Sequence, residues 1–329
     1  MSAAMSEQAA ARTGTQGAAD TATGEPRRDI YQAVTDKVIA DLERGVRPWH
    51  RPWSGQGSTG RPLRANGAAY QGVNVLLLWI EAAARGYASP VWMTYRQAQA
   101  IGANVRRGER GSMVVYANAI TRTERDDRTG EESERRIPFL KAYTVFNLAQ
   151  IENLPAAWHV EAPTPRLAEA DRIAAAETFF GAIGAELRHG ADGAYYVPGK
   201  DHIAMPPFAA FESAASYYAT LGHEHVQWTG HASRLGRPLS TRHRDPDAYA
   251  REELVAELGA AFLCADLGIA DQPREDHAAY LGHFLALLRA DKRAIVSAAA
   301  AAQRSVSFLH ERAGHLHSAS AEQAESEAA

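Results

Sequence analysis

The segment His223-Glu224-His225-Val226-Gln227 sets an imidazole beside a carboxylate in a stretch of helical pattern. Two histidines four residues apart on a helix lie on one face, about 6 Å apart along the axis, close enough to share one Zn2+ ion. A glutamate following the first histidine can then activate the bound water. Here the fourth place is Gln227, whose neutral amide is a much weaker ligand than imidazole. Glu224 is the catalytic candidate, His223 the first metal ligand, and Gln227 a poor donor at the position of the second.

Nearby histidines do not repair the pattern. His225 is two residues on, about 200° around the helix, and points to the opposite face. His231, eight residues on, lies only about 80° away but about 12 Å along the axis, so it reaches the site only if Gly230 ends the helix and folds the chain back. A third ligand has to come from elsewhere. Arg251-Glu252-Glu253-Leu254-Val255-Ala256-Glu257 offers Glu253 and Glu257 on one helical face. In glutamate-type zincins the first such carboxylate binds metal and a later acid supports a histidine, an order that favours Glu253 as ligand and Glu257 as support. The bland alternative is that His-Glu and Glu-x-x-x-Glu are solvated charges on exposed helices.

A second chemistry is written earlier in the chain. From Arg44 to Ala117 there are ten Arg and no Lys against Glu81 and Glu109. Single strands of nucleic acid are held by aromatic platforms set in a positive groove, each stacked base contributing about 1 to 3 kcal/mol. Trp49, Arg51 and Trp53 stand in a proline-stiffened loop. Arg61 and Arg64 precede Asn66-Gly67, and Arg96, Arg106, Arg107 and Arg110 lead into an apolar strand. Arginine stacks and also forks onto phosphate. The competing reading makes the tryptophans core residues, which is preferred for Trp79 inside Leu76–Ile80.

These groups need elements to hold them. Ile30, Val34, Val38, Ile39 and Leu42 recur at helical spacing and Gly45 stops the run. Further helices are expected over Val73–Ala84 and from about Thr94 to Ile101. Met113–Tyr116 and Lys141–Phe146 read as two short strands joined by a long charged hairpin loop. A boundary falls between Pro155 and Pro165. Beyond it a helix is expected over Arg166–Ile183, paired strands at Tyr195–Val197 and His202–Met205, and a long helix over Phe211–Gly230. Helices at Arg251–Leu267 and from His277 to about Arg312 follow. The expected class is α+β in two domains, residues 28–155 and a mainly helical 156–313 with a small sheet, between flexible tails at 1–27 and 314–329.

Composition bounds the rest. The 329 residues are 46% hydrophobic and 22% charged, enough for sizeable cores. The lone Cys264 forms no internal disulfide and reads as a small core residue, which suits a reducing cytoplasm. No apolar run reaches the roughly 18 residues of a membrane span, and no secretion signal is seen, so no membrane partner is expected.

The same residues form motifs that resemble ArdC-type antirestriction proteins and the TraC-like primase-associated proteins of conjugative plasmids. In the first domain the resemblance rests on Asp29-Ile30-Tyr31-Gln32, Pro48-Trp49-His50-Arg51-Pro52-Trp53, Asn66-Gly67 with Tyr70, Gly72 and Asn74, Trp92–Ala98 and Arg107–Gly111, and it adds Tyr70 and Asn74 to the DNA-binding candidates. In the second it rests on Tyr217–Leu221, His223-Glu224, Trp228–His231, Ser233–Leu235 and Glu252–Glu257. It implies an N-terminal domain that binds single-stranded DNA, a zincin-like metallopeptidase domain, and protection of incoming plasmid or phage DNA from restriction. The family usually carries His-Glu-x-x-His, and this chain departs from it at Gln227, Gly222 and His225. Three functions therefore compete: a DNA-binding antirestriction protein, a working Zn2+ peptidase, and a scaffold that engages a restriction component or another protein along Tyr195-Tyr196 and Ile203 by strand addition.

Overall fold

The computed structural model describes residues 29–49, 60–125, 132–158, 169–239, 244–269 and 278–314. The tails expected at 1–27 and after 314 lie outside the described residues, as do Arg51 and Trp53.

Helix α1 (Ile30–Glu43) starts where Asp29 accepts a hydrogen bond from the Gln32 amide, an N-cap that satisfies one of the free N–H groups of the first turn. After β1 (Leu63–Arg64) comes α2 (Val73–Arg85), whose Val75–Leu78 run is wholly buried and which Gly86 ends in the left-handed conformation. Strand β2 (Val91–Met93) leads into α3 (Tyr95–Ala100), opened by a reciprocal capping box between Thr94 and Gln97. Short β3 (Asn104–Val105) precedes the long strands β4 (Ser112–Arg125) and β5 (Glu132–Asn147), and β6 (Ile151–Glu152) pairs back on β3. The main sheet has the order β1-β2-β5-β4.

The expected short strands with a charged loop between them are instead one long antiparallel ribbon, paired from Ser112↔Val145 out to Arg125↔Glu132. Charge hid the pattern. Threonines alternate with charged residues at Thr121, Arg122, Thr123 and Glu124, a composition with β-branched residues but no apolar stripe to mark a strand.

The second half opens with α4 (Glu169–Ile183) and a three-stranded sheet of order β7-β9-β8, with β7 (Glu186–His189) parallel and β8 (Tyr195–Val197) antiparallel to β9 (His202–Met205). Strand β7 was missed because Glu-Leu-Arg-His carries one apolar side chain. Helices α5 (Ala214–Thr229) and α6 (Pro246–Leu267) follow, capped by Ser213 and Asp245. The single helix expected to about Arg312 is two, α7 (Ala278–Ala290) and α8 (Ala294–Arg312). Asp291 makes the break: its carboxylate accepts from the Arg293 amide and its carbonyl from the Ala294 amide, a local alternative to helical bonds.

The class is α+β, and one large core runs through both halves. Val34, Val38 and Leu42 of α1 belong to it together with Phe284 of α7 and Ile295 of α8. Thr35 donates to the Lys292 carbonyl, and Arg289–Glu43 and Lys292–Asp29 close the edges of the contact. A smaller core around Met93, Ala98, Ala103, Leu148 and Ile151 lies under α3, β3 and β6. Among the described residues no helix is long and apolar enough to cross a membrane.

Candidate functional site

Helices α5 and α6 cross at small residues. A Cβ on Gly259 would stand 2.6 Å from Val226 Cγ2, closer than real contacts allow, so the crossing requires glycine. Gly222 faces Ala260, Leu263 and Phe180 at ordinary contact distance. This close approach brings the i, i+4 pair His223/Gln227 of α5 against the i, i+4 pair Glu253/Glu257 of α6. His223 Nε2 is 3.6 Å from Glu253 Oε2, and His223 Nδ1 is 3.5 Å from Glu257 Oε1. The Gln227 amide nitrogen donates to Glu253 Oε1 at 2.8 Å and to His223 Nε2 at 3.2 Å. Accepting at Nε2 leaves the ring proton on Nδ1, the nitrogen that faces Glu257. His223, Glu224, Glu253 and Glu257 are buried, and Gln227 is partly open to solvent.

Other polar groups set the height and tilt of α5. His225 lies on its far side against Phe180 and Trp228, donating from Nδ1 to the Leu221 carbonyl, and burial pulls its imidazole down to about 4. The turn after α5 is held by Arg234, which the sequence placed in a family motif without a role, and by Arg237, which it did not single out. Arg237 reaches Glu252, Thr229, Ser305 and the Val226 carbonyl, and burial pushes the Glu252 carboxyl upward against the pull of that guanidinium. Arg234 lies 3.8 Å over the Trp228 ring and pairs with Asp201, whose carboxyl that hydrogen bond lowers to about 2. Their signal was the Thr-Gly-His-x-Ser-Arg-x-Gly-Arg spacing, which fits a turn needing partners for exposed helix-end carbonyls. Gly230 does end α5, but His231 turns to Ser233 Oγ at 2.8 Å. Nothing in the structure brings it to His223.

Among the described residues no group of three or more His, Cys, Asp or Glu side chains has the geometry to hold a metal ion. The donor set at the His223 site is also poor. His223 and Glu253 offer lone pairs, but the third member turns an NH2 group inward, and an amide N–H is no metal ligand.

The residues proposed from sequence for nucleic acid separate into two sets. Trp49 is 1% exposed and packs edge-on to Phe284, so it presents no stacking face. Arg61, 4% exposed, forks onto both Asp266 oxygens, reaches Gln303, and lies over Phe262. Tyr70 is buried beneath Arg64, with its hydroxyl pushed up to about 12 by desolvation. Asn74 spends both amide ends on the Val115 backbone. All four are engaged within the fold, Trp49 and Tyr70 in the large core and Arg61 and Asn74 through side-chain hydrogen bonds. Asn66 is exposed at a turn, where it caps the Ala68 amide. Arg96, Arg106, Arg107 and Arg110 are exposed on the layer over the smaller core. Arg106 pairs with Glu109, whereas Arg96, Arg107 and Arg110 make no ion pair among the described residues. Tyr95, 49% exposed beside Arg96, was missed because it reads as an ordinary first-turn helix residue.

Residues 28–146 match the N-terminal domain of anti-restriction factor ArdC, and residues 174–301 match a zincin-like metallopeptidase. The y4eC protein of Sinorhizobium fredii is 43% identical over 88% of this chain and 94% of its own length. DNA primase TraC of Escherichia coli is 37% identical over 87% of this chain, which spans only 27% of that primase. The metal-free crystal structure of the antirestriction ArdC protein from plasmid R388 superposes with a TM-score of 0.72 at 46% identity, covering 88% of this chain and 99% of that one. Its Mn(II)-bound structure gives 0.70 at 45% identity, covering 87% and 98%. With both domains matched in order and a relative covered from end to end, the chain belongs to the ArdC family of antirestriction proteins.

Proposed function

We propose that this protein binds single-stranded DNA through its first domain and serves, in the cytoplasm, as an antirestriction factor of a mobile genetic element. The observation that carries the reading is the set Arg96, Arg107 and Arg110, which make no ion pair among the described residues and are exposed with Tyr95 on the layer above the smaller core. A guanidinium with no carboxylate beside it among the described residues leaves its field open to phosphate, and an exposed tyrosine offers a face on which any base can stack. Such a surface has little means of reading sequence, which fits a protector of incoming DNA. Membership of a family named for ArdC, with a DNA primase among the relatives, supports the same reading.

Fluorescence anisotropy of a labelled single-stranded oligonucleotide, titrated at several salt concentrations, tests it. Each phosphate contact contributes about −0.7 to the slope of log K against log salt on single strands. Replacing Arg96, Arg107 and Arg110 together by Ala is expected to weaken binding and to flatten that slope by about 2. An unchanged slope in the triple variant would remove this face from the binding surface.

Zn2+ and a peptidase reaction, the second expectation from sequence, are supported by the zincin-like match and by the Mn(II)-bound relative, and opposed by the N–H group that stands in the place of the third donor at the His223 site. Docking of a protein partner has one feature in its favour. Strand β8 is an edge of its sheet, and Tyr195 stands 52% exposed on it.

A further inference from the structure

Gln227 is more than a missing ligand. Its terminal nitrogen carries two hydrogens, and they go to the two groups that a shared cation would join: Glu253 Oε1 at 2.8 Å and His223 Nε2 at 3.2 Å. We propose that the Gln227 amide takes the place of the cation in this zincin-like site, so that the domain is closed and folded without metal and has no dependence on it.

Three arguments support this. The first concerns burial. His223 and Glu253 lie at 2% and 8% exposure, and a buried acceptor left without a donor is strongly destabilising, so each requires either a cation or an N–H group. One NH2 group supplies both needs. The second concerns orientation. Turning the amide over would set its oxygen against the Glu253 carboxylate and remove the donor from His223, so the partners themselves enforce the nitrogen-inward arrangement. A cation would have to break both hydrogen bonds and then accept a neutral oxygen in place of imidazole. The third concerns architecture. The amide's hydrogen bond to Glu253 links α5 to α6 along the same pair of helices that Gly259 lets touch at Val226, so it also fastens their packing. Glu224 remains buried on α5, in a site with no cation to activate water for it. This inference is independent of the DNA reading, which uses the other domain.

The full-length protein, stripped with EDTA and dialysed against Zn(II) or Mn(II), should retain a small fraction of one equivalent of either ion, and its melting temperature should not move. Gln227→His should retain one equivalent, bind on the order of 100-fold more tightly or better, and melt higher with metal than without. Gln227→Met keeps the side-chain length but has no N–H, and in EDTA it should melt several degrees below wild type. Stoichiometric, tightly held metal in the wild-type protein would overturn the proposal. So would a Gln227→Met variant as stable in EDTA as wild type. Both measurements stand whether or not Gln227→His folds.

Discussion

Glutamine and histidine differ at position 227 in the sign of what they turn inward, a pair of hydrogens against a lone pair. The absence of the second histidine was readable from the sequence, because helical spacing alone defines where it must stand. What filled its place was not, because the direction in which an amide turns depends on partners 26 residues away in the chain. Trp49 and Arg61 were obscure for the same reason: Phe284 and Asp266, which bury them, belong to the far half. Asp201 carries a prediction at this scale. Its carboxyl is lowered from 3.8 to about 2, chiefly by the Arg234 hydrogen bond, so its stabilising contribution is complete above the unfolded value. That contribution is lost as pH falls from 3.8 towards 2. Asn tolerates the left-handed backbone that Asp201 adopts at φ 49°, so Asp201→Asn removes the charge and one of the two oxygens that accept from Arg234 without straining the turn. Thermal melts against pH should show the variant less stable than wild type at neutral pH, with the gap closing below 3.8.

Helices with clear apolar spacing and caps were legible nearly to their ends, as α1, α2 and α5 show. The outer ribbon of β4 and β5 was not, since threonine alternating with charge gives no apolar stripe to detect. Nor was the break between α7 and α8, which depends on Asp291 bonding to its own neighbours. The crossing of α5 and α6 is the element-scale feature on which the site depends. Gly259→Ala would drive a methyl into Val226, and overpacking of this kind costs about 1 to 3 kcal/mol. Chemical denaturation should show that loss. Forcing the helices apart should also weaken the Gln227–Glu253 contact, so that combining Gly259→Ala with Gln227→Met destabilises by less than the sum of the two.

At the scale of the whole molecule, two family domains are joined through one core. Arg61 is a buried polar part of that joint. It is buried with Asp266 and Gln303, and Gln303 also accepts from the Gly72 amide. Removing the arginine leaves the Asp266 carboxylate buried with its main partner gone, and Arg61→Ala should lose about 3 to 5 kcal/mol in a denaturant titration. Because Arg61 faces the core, a variant that is still folded at the assay temperature should bind DNA as wild type does. Ordinary affinity with reduced stability would mark the residue as structural, whereas lost affinity in a folded variant would return it to the binding surface.

The central claim is that the first domain holds single strands by charge and stacking, independently of the site at Gln227. Titration of the wild-type protein against a labelled single-stranded oligonucleotide in EDTA, at rising salt, tests this most directly. The expected result is binding at low salt that weakens steadily as salt rises and is unaltered when Mn(II) or Zn(II) is added. No binding at low salt, or binding that appears only with metal, would contradict it.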